Sequence, residues 1–388
     1  MSILMRFLGY RSLNSSRDIV PRILENAAKM RLYSTKKTGK AKSVIKLGLA
    51  GVTVGAIVGT GYSIHSHNKP RSHIQNEQTF IPIVEEIPKI EPSRKIRYVD
   101  DNSNLRLILF QYQTCPFCCK VRAFLDFHGI SYDVIEVDPV LRQSIKWSPY
   151  KKVPILVVEN NGRYQPMNDS SMIISALSTY IRDSNKEIED IVKCYPFIEF
   201  IDENGSRKNE IMNRYFLMYS EGMKEDRSNA EVNEERKWRK WADDVLVHTL
   251  SPNIYRTREE AFQSFNWFSE AGQWEEIFPE WERQLMMYVG ANAMWMIGKK
   301  LKKKYQLKDD VRQSLYDECN YWMKNIHMKG GKFMGGDKPN LADLAVFGVL
   351  NSIEGCSAFE DLLKNSKIGT WFKKMKEEVG KHKLVNVV

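Results

Sequence analysis

Two thiols stand at C-x-x-C spacing in Tyr112-Gln113-Thr114-Cys115-Pro116-Phe117-Cys118, directly after an apolar run over residues 105–110. Such a pair does nucleophilic or dithiol chemistry when one thiol opens a helix. The unpaired N–H groups and positive dipole end there favour thiolate over thiol. Cys115 holds that position and is the expected nucleophile. Cys118, one turn further in, is placed to resolve a mixed disulfide, and Cys119 has no such role. A zinc knuckle is the competing reading of C-x-x-C, but it needs a second Cys/His pair at short range and none follows, so no metal site is expected.

The flanking pattern supplies the elements that would position these thiols. Residues 105–111 read as a buried strand, and residues 117–128 as a helix with Phe117, Val121, Phe124, Leu125 and Phe127 on its apolar face and Gly129 as its stop. Residues 132–137 alternate as a second strand. Polar residues 143–152 then lead to a β-branched run over 153–158 that opens on Val153-Pro154. Proline cannot donate to a ladder; it is tolerated there as a first-strand or turn residue, often in the cis form. Asn160-Asn161-Gly162 signals a hairpin into a short strand over 164–167. Asn168-Asp169-Ser170-Ser171 opens a helix carrying Ile173, Ile174, Leu177 and Ile181, with Asn168 or Asp169 as N-cap. Its free N–H groups suit an anion.

At 388 residues the chain is long enough for two folded units and extensions. The net charge of +10 is not spread evenly. Residues 1–42 hold ten Lys/Arg against Asp18 and Glu25, which leaves 48 basic and 46 acidic residues in the body. A nearly neutral body gives no reason to expect nucleic-acid binding. Six cysteines in a chain of this size are no secreted disulfide framework, so a reducing compartment is expected.

Residues 1–43 read as a basic, acid-poor presequence with a processing site at Arg31-Leu32-Tyr33-Ser34. Residues 44–64, with Lys46 as the only charge and Gly51, Gly55 and Gly59 on one face, read as a transmembrane helix. Residues 65–103 read as a polar, proline-containing tether in which His65, His67 and His73 are solvated. Residues 104–185 are the strand–helix unit. Residues 186–236 read as a connector with Glu234 and Glu235 facing solvent.

Residues 237–388 are helical. Trp238, Trp241, Val245 and Leu246 share a face that should stop at Ser251-Pro252, and Asp243-Asp244 read as solvated or salt-bridged. His248 is a lone histidine without an expected site role. Met286, Met287, Met294 and Met296 read as core, and residues 299–304 as a solvated basic face. Asn340 and Asp343 form a capping box.

The C-P-F-C turn, the Val-Pro before the third strand and the Asp-Ser helix start together resemble the thioredoxin fold in its glutaredoxin and glutathione-transferase form, over residues 104–185. The helical half resembles the glutathione-transferase C-terminal domain. The fold class is therefore α+β, a thioredoxin-like domain followed by an all-helical one. The resemblance implies a glutathione site in which the Val153 backbone, beside Pro154, pairs with the cysteinyl unit while Asp169 and Ser170 hold the γ-glutamyl end.

Further segments, including Lys120-Val121-Arg122-Ala123-Phe124-Leu125-Asp126-Phe127-His128, Lys240-Trp241-Ala242-Asp243-Asp244 and Met334-Gly335-Gly336, resemble the membrane-associated prostaglandin E synthase type 2 family over residues 105–371. That likeness implies an isomerase turning the lipid endoperoxide prostaglandin H2 into prostaglandin E2. Cys115 would be the thiol, Tyr112 would bond the sulfur or developing oxyanion, and Cys118 would support them. Glutathione or another thiol would serve as cofactor, and haem is implied by the resemblance alone. It also implies a Golgi or endomembrane anchor with a cytosolic body, whereas the N-terminal pattern points to mitochondria; a homodimer is left open. Two rival readings are a glutathione-dependent thiol-disulfide oxidoreductase and a non-catalytic membrane-anchored adaptor.

Overall fold

The computed structural model describes residues 79–385 except 161, 184–185, 202–206 and 221–226. The presequence-like segment and the stretch 44–64 lie outside the described residues. The single-pass membrane assignment is corrected. No helix among the described residues is long and apolar enough to cross a membrane. The longest, Val311–Met328, buries Leu315, Cys319 and Trp322 on one side but also carries Asp317, Glu318 and Lys324, so it is amphipathic rather than apolar throughout.

The first half is a five-stranded sheet flanked by helices. β1 (Arg94–Ile96), β2 (Arg106–Gln111), α1 (Pro116–Phe127), β3 (Tyr132–Glu136), β4 (Ile155–Asn160), β5 (Arg163–Asn168) and α2 (Ser170–Arg182) follow in chain order. The strand order is β1-β3-β2-β4-β5, with β2 and β3 parallel and the other neighbours antiparallel. Alternation puts Phe110, Ile135, Ile155 and Val157 into one buried cluster, closed by Val137 and Ile145. Ile87 and Ile90 pack against the same cluster. Residues 79–103 are thus no free tether: Val84 bridges to Tyr164, and β1 joins the sheet edge.

The stretch read as a connector also has structure. α3 (Ile188–Lys193) leads into a hairpin of β6 (Phe197–Ile201) and β7 (Arg207–Ile211). Glu235, expected in solvent, is 3% exposed and accepts from Arg227 Nη1 (2.8 Å) and the Leu341 N–H (3.2 Å). A buried carboxylate needs such partners.

The helical half comprises α4 (Asn229–Trp241), a wide π-type turn over Ala242–Leu246, α5 (Val247–Ile254), α6 (Arg258–Ala271), α7 (Trp274–Ile277), α8 (Glu280–Gln284), a second π-type turn over Leu285–Gly290, α9 (Ala291–Lys304), α10 (Val311–Met328), α11 (Leu341–Asn351), α12 (Ser357–Asn365) and α13 (Ile368–Val379). Pro252 does not end its helix but lies inside α5, which continues to Ile254. Met286 and Met294 are core, as read from the sequence, whereas Met296 is 59% exposed. Trp238, Trp241 and Trp322 cluster, with the last two stacked 4° from parallel. The capping box forms, and Asp343 also accepts from the Trp371 indole N–H at 3.1 Å.

The two halves meet backbone to backbone where α11 crosses α1. A Cβ on Gly348 would lie 2.5 Å from Lys120 Cα and 2.6 Å from Lys120 N, inside any tolerable contact. Gly348→Ala should therefore overpack the seam and cost about 1–3 kcal/mol. Thermal melting followed by circular dichroism should show a lower midpoint; an unchanged one would refute this account of the seam.

Candidate active site

Sheet register gathers the candidate residues at one end of the strands. Phe110 pairs with Ile155, and Ile155 with Asn168, so the turn after β2, the residues before β4 and the start of α2 lie side by side. The Val153–Pro154 bond is cis, and Tyr112 and Val153 pack on the same buried cluster. Cys115, Tyr112, Val153, Pro154, Asp169 and Ser170 thus belong to adjacent segments.

Cys115 is the N-cap of α1, with extended backbone and no side-chain cap of its own. Pro116 at the next position has no N–H, so the donors nearest the sulfur come from the two residues after it. The neighbouring Cys118 thiol, against the upward push of burial, together with the main-chain N–H groups of Cys118 and Phe117 and the positive charge of Arg122, holds the Cys115 thiol below its ordinary pKa. Burial, and then the Cys115 sulfur, push Cys118 well up. One thiol is therefore half-buried and lowered in pKa, the other fully buried and raised. Burial also pushes the Tyr112 phenol up, so it stays a donor beside the two sulfurs.

The turn bearing Cys115 is fastened from beneath by groups the sequence reading missed. Glu136, at the end of β3, accepts from the Gln113 N–H, from Gln111 Nε2 (3.1 Å) and from Arg94 Nη2 (2.7 Å). Arg122 donates to the Gln113 carbonyl (2.7 Å) and lies 3.1 Å from Cys119 Sγ. One signal was available: Tyr132, Val134 and Glu136 fall on one face of an alternating strand, so the carboxylate had to lie inside.

Asp169 caps α2, accepting from the N–H groups of Ser171 (2.9 Å) and Met172 (3.2 Å), and its φ of +72° is a left-handed conformation rare for a side-chain-bearing residue. Beside it, Asn168 Oδ1 is buried without a hydrogen-bond partner. In the first turn of α2 the two halves of the chain are joined. Lys120 Nζ, wholly buried, donates to Ser171 Oγ (2.9 Å) and pairs with Asp243, whose other oxygen accepts from Ser171 Oγ (2.6 Å) and the Tyr215 hydroxyl (3.0 Å). Asp243 was read as solvated or salt-bridged, and it is salt-bridged, but on an internal seam that the π-type turn aims at α1. Asp244 pairs with Lys240 outside.

The matched sequences set this geometry in a lineage. The glutaredoxin family model matches residues 107–163. Prostaglandin E synthase 2 of Danio rerio is 48% identical over 280 residues, 72% of this chain and 72% of that protein. Its Mus musculus counterpart is 41% identical over 340 residues, 86% of this chain and 81% of that protein. The chain belongs to the prostaglandin E synthase 2 family. Among solved structures, glutathione S-transferase III in apo form shares 12% identity, with a TM-score of 0.38 over 71% of this chain and 95% of that one. Glutathione S-transferase I bound with lactoylglutathione shares 11%, with a TM-score of 0.40 over 71% and 97%.

In this member of the prostaglandin E synthase 2 family a further group of polar residues borders Tyr112. Asp138 accepts from the N–H groups of Leu141, Arg142 (2.7 Å) and Gln143 (2.9 Å), tightening a loop in which Arg142 has φ +52°. Arg142 Nη1 donates to the Lys151 carbonyl (2.9 Å), while Nη2 is buried without a partner. From the helical half, Glu282 of α8 lies buried against Asp138 with Oε1 unpartnered. Neither pairing was legible in the sequence, because nothing local links residues 138 and 282.

Burial first, and Asp138 next, push the Glu282 carboxyl up to about 7. The folded chain then holds a proton that the unfolded chain has released at its ordinary value of 4.5, so this contribution to stability is full below 4.5 and is lost as pH rises through 7. Glu282→Gln, whose amide still offers Asp138 a donor, should flatten the fall in melting temperature between pH 5 and 8, with about that interval set by the shift. Identical slopes in variant and wild type would refute it.

Proposed function

We propose that this chain isomerises the endoperoxide prostaglandin H2 to prostaglandin E2, with the Cys115 thiolate as nucleophile and glutathione or another thiol as cofactor. Membership of the prostaglandin E synthase 2 family supports the reaction class. The observation that carries the assignment of Cys115 is its place as N-cap of α1, half-buried and next to the C-x-x-C partner Cys118, with its thiol held below its ordinary pKa.

In this reading the thiolate attacks one peroxide oxygen. An S–O bond forms, the O–O bond breaks, and the other oxygen leaves as an alkoxide that the Tyr112 phenol can meet with a proton. Loss of the proton from the ring carbon bearing the attacked oxygen then forms the ketone, breaks the S–O bond and returns the thiolate. The proton removed from carbon balances the one gained by the alkoxide, so no oxidant or reductant is consumed.

Residues present fit a glutathione ligand. The main chain at Val153 precedes a cis proline, Asp169 opens α2 with Oδ2 not used in the helix cap, and two buried polar atoms, Arg142 Nη2 and Asn168 Oδ1, lack partners. When bound, glutathione would supply a second thiol to the site. Haem, whose propionates would need cationic partners, finds two lysines of the 299–304 face already in other contacts: Lys299 lies over Trp295 and Lys302 pairs with Asp309. No step is assigned to haem.

The test is turnover of prostaglandin H2 by the full chain with glutathione or dithiothreitol. Cys115→Ser should reduce prostaglandin E2 to the buffer level, and Cys118→Ser, whose hydroxyl is still a donor, should keep at least about a tenth of the wild-type rate, since altering one supporting hydrogen bond costs on the order of 1 kcal/mol. Full activity in Cys115→Ser would sink the proposal. Loss of thiol-disulfide exchange in Cys118→Ser, with no prostaglandin E2 formed by the wild type, would instead favour an oxidoreductase.

A further inference from the structure

Arg214 follows the β6–β7 hairpin, outside residues 107–163 where the glutaredoxin match lies, and its backbone is held firmly. Ser175 Oγ donates to the Arg214 carbonyl (2.7 Å), the buried Arg239 donates to the Tyr215 carbonyl (3.2 Å), and the Tyr215 hydroxyl donates to Asp243 (3.0 Å). The Arg214 guanidinium lies 5.1 Å over the Tyr215 ring and brings Nη1 to 3.4 Å from Asp169 Oδ2. It is therefore delivered to the start of α2 by three interactions that do not involve its own charge.

The pair it makes there is a poor end in itself. Both side chains keep about a quarter of their surface (24% and 28%), and one long contact between groups so exposed contributes little to stability. A guanidinium has five N–H donors, and Asp169 spends only Oδ1 on its helix. A cation and an anion thus stand side by side with bonding capacity to spare, at a helix N-terminus whose neighbour Asn168 carries a buried, unpartnered oxygen. Adjacent opposite charges are complementary to a zwitterion with ammonium and carboxylate on one carbon, the α-amino-acid end of a γ-glutamyl group.

We propose that Arg214 binds the α-carboxylate of the γ-glutamyl unit while Asp169 takes its α-ammonium, so that the connector completes the amino-acid end of the thiol site within a single chain. This rests on the glutathione reading above. Arg214 then sets specificity: it contributes nothing to a thiol that lacks a γ-glutamyl end, and Cys115 acts on the endoperoxide independently of it.

The experiment is calorimetric titration of the full chain with glutathione and with cysteinylglycine, which is glutathione without the γ-glutamyl unit. In Arg214→Ala the glutathione Kd should rise at least about tenfold, the loss of one charge-assisted hydrogen bond pair, while the cysteinylglycine Kd stays put. Arg214→Lys should recover part of the loss, and it carries the test if the alanine variant melts early. Prostaglandin E2 formation with dithiothreitol should be unchanged in both. Equal weakening of both ligands, or no weakening of either, overturns the role of Arg214. Absence of glutathione binding to the wild type overturns the underlying reading, and this proposal with it.

Discussion

A lysine ammonium with no exposed surface is the constraint around which the chain is built. Lys120 sits on α1, the helix that Cys115 caps, and an unpaired charge there would be prohibitively costly, so Asp243 and Ser171 must both reach it. Burial alone would push the Asp243 carboxyl up, yet Lys120, Ser171 and Tyr215 hold it below the usual carboxylate range. The requirement fixes three elements at once: α1 through Lys120, α2 through Ser171, and the π-type turn after α4 through Asp243. Gly348 then lets α11 come down onto the same turn of α1.

Cys115 is served by this frame without belonging to it. The groups that lower its pKa lie mainly on its own helix, while the turn before it is bonded to Glu136, and Glu136 is fixed by Arg94 from the adjacent edge strand β1. A chain of polar contacts thus runs from β1 to the thiol turn beneath the sheet end. Tyr112 meets a separate group, the Asp138 loop, which the helical half touches through Glu282. The site is accordingly fixed from below by one half of the protein and bordered from the side by the other.

What was readable in the sequence was what local chemistry decides. The α1 start at Cys115-Pro116, the cis proline, the Asp169 cap and the Asn340–Asp343 box each depend on residues within a few positions, and each is found where its residue types demand. What escaped depends on pairing at long range. Glu235 looked like one charge among many in a polar connector, and its burial appears only with Leu341, 106 positions away, beside it. Asp243 and Asp244 are indistinguishable by type, and the π-type turn that separates their fates leaves no local signature. Residues 79–103 read as a tether because their prolines break periodicity, yet apolar Ile87 and Ile90 gave them a place on the sheet.

The Lys120 seam bears on whether the thioredoxin-like half is a module in its own right. A family match confined to residues 107–163 invites the view of a portable catalytic unit to which helices were appended. The contacts argue otherwise: excised at residue 185, this half would present on α1 an ammonium stripped of its carboxylate partner and a strip of backbone shaped for a glycine. Water would enter beside the very turn that carries the thiol. The helical half is in that sense the missing wall of the first one's interior, and the boundary between them marks a change of architecture but not a place where the polypeptide can be divided.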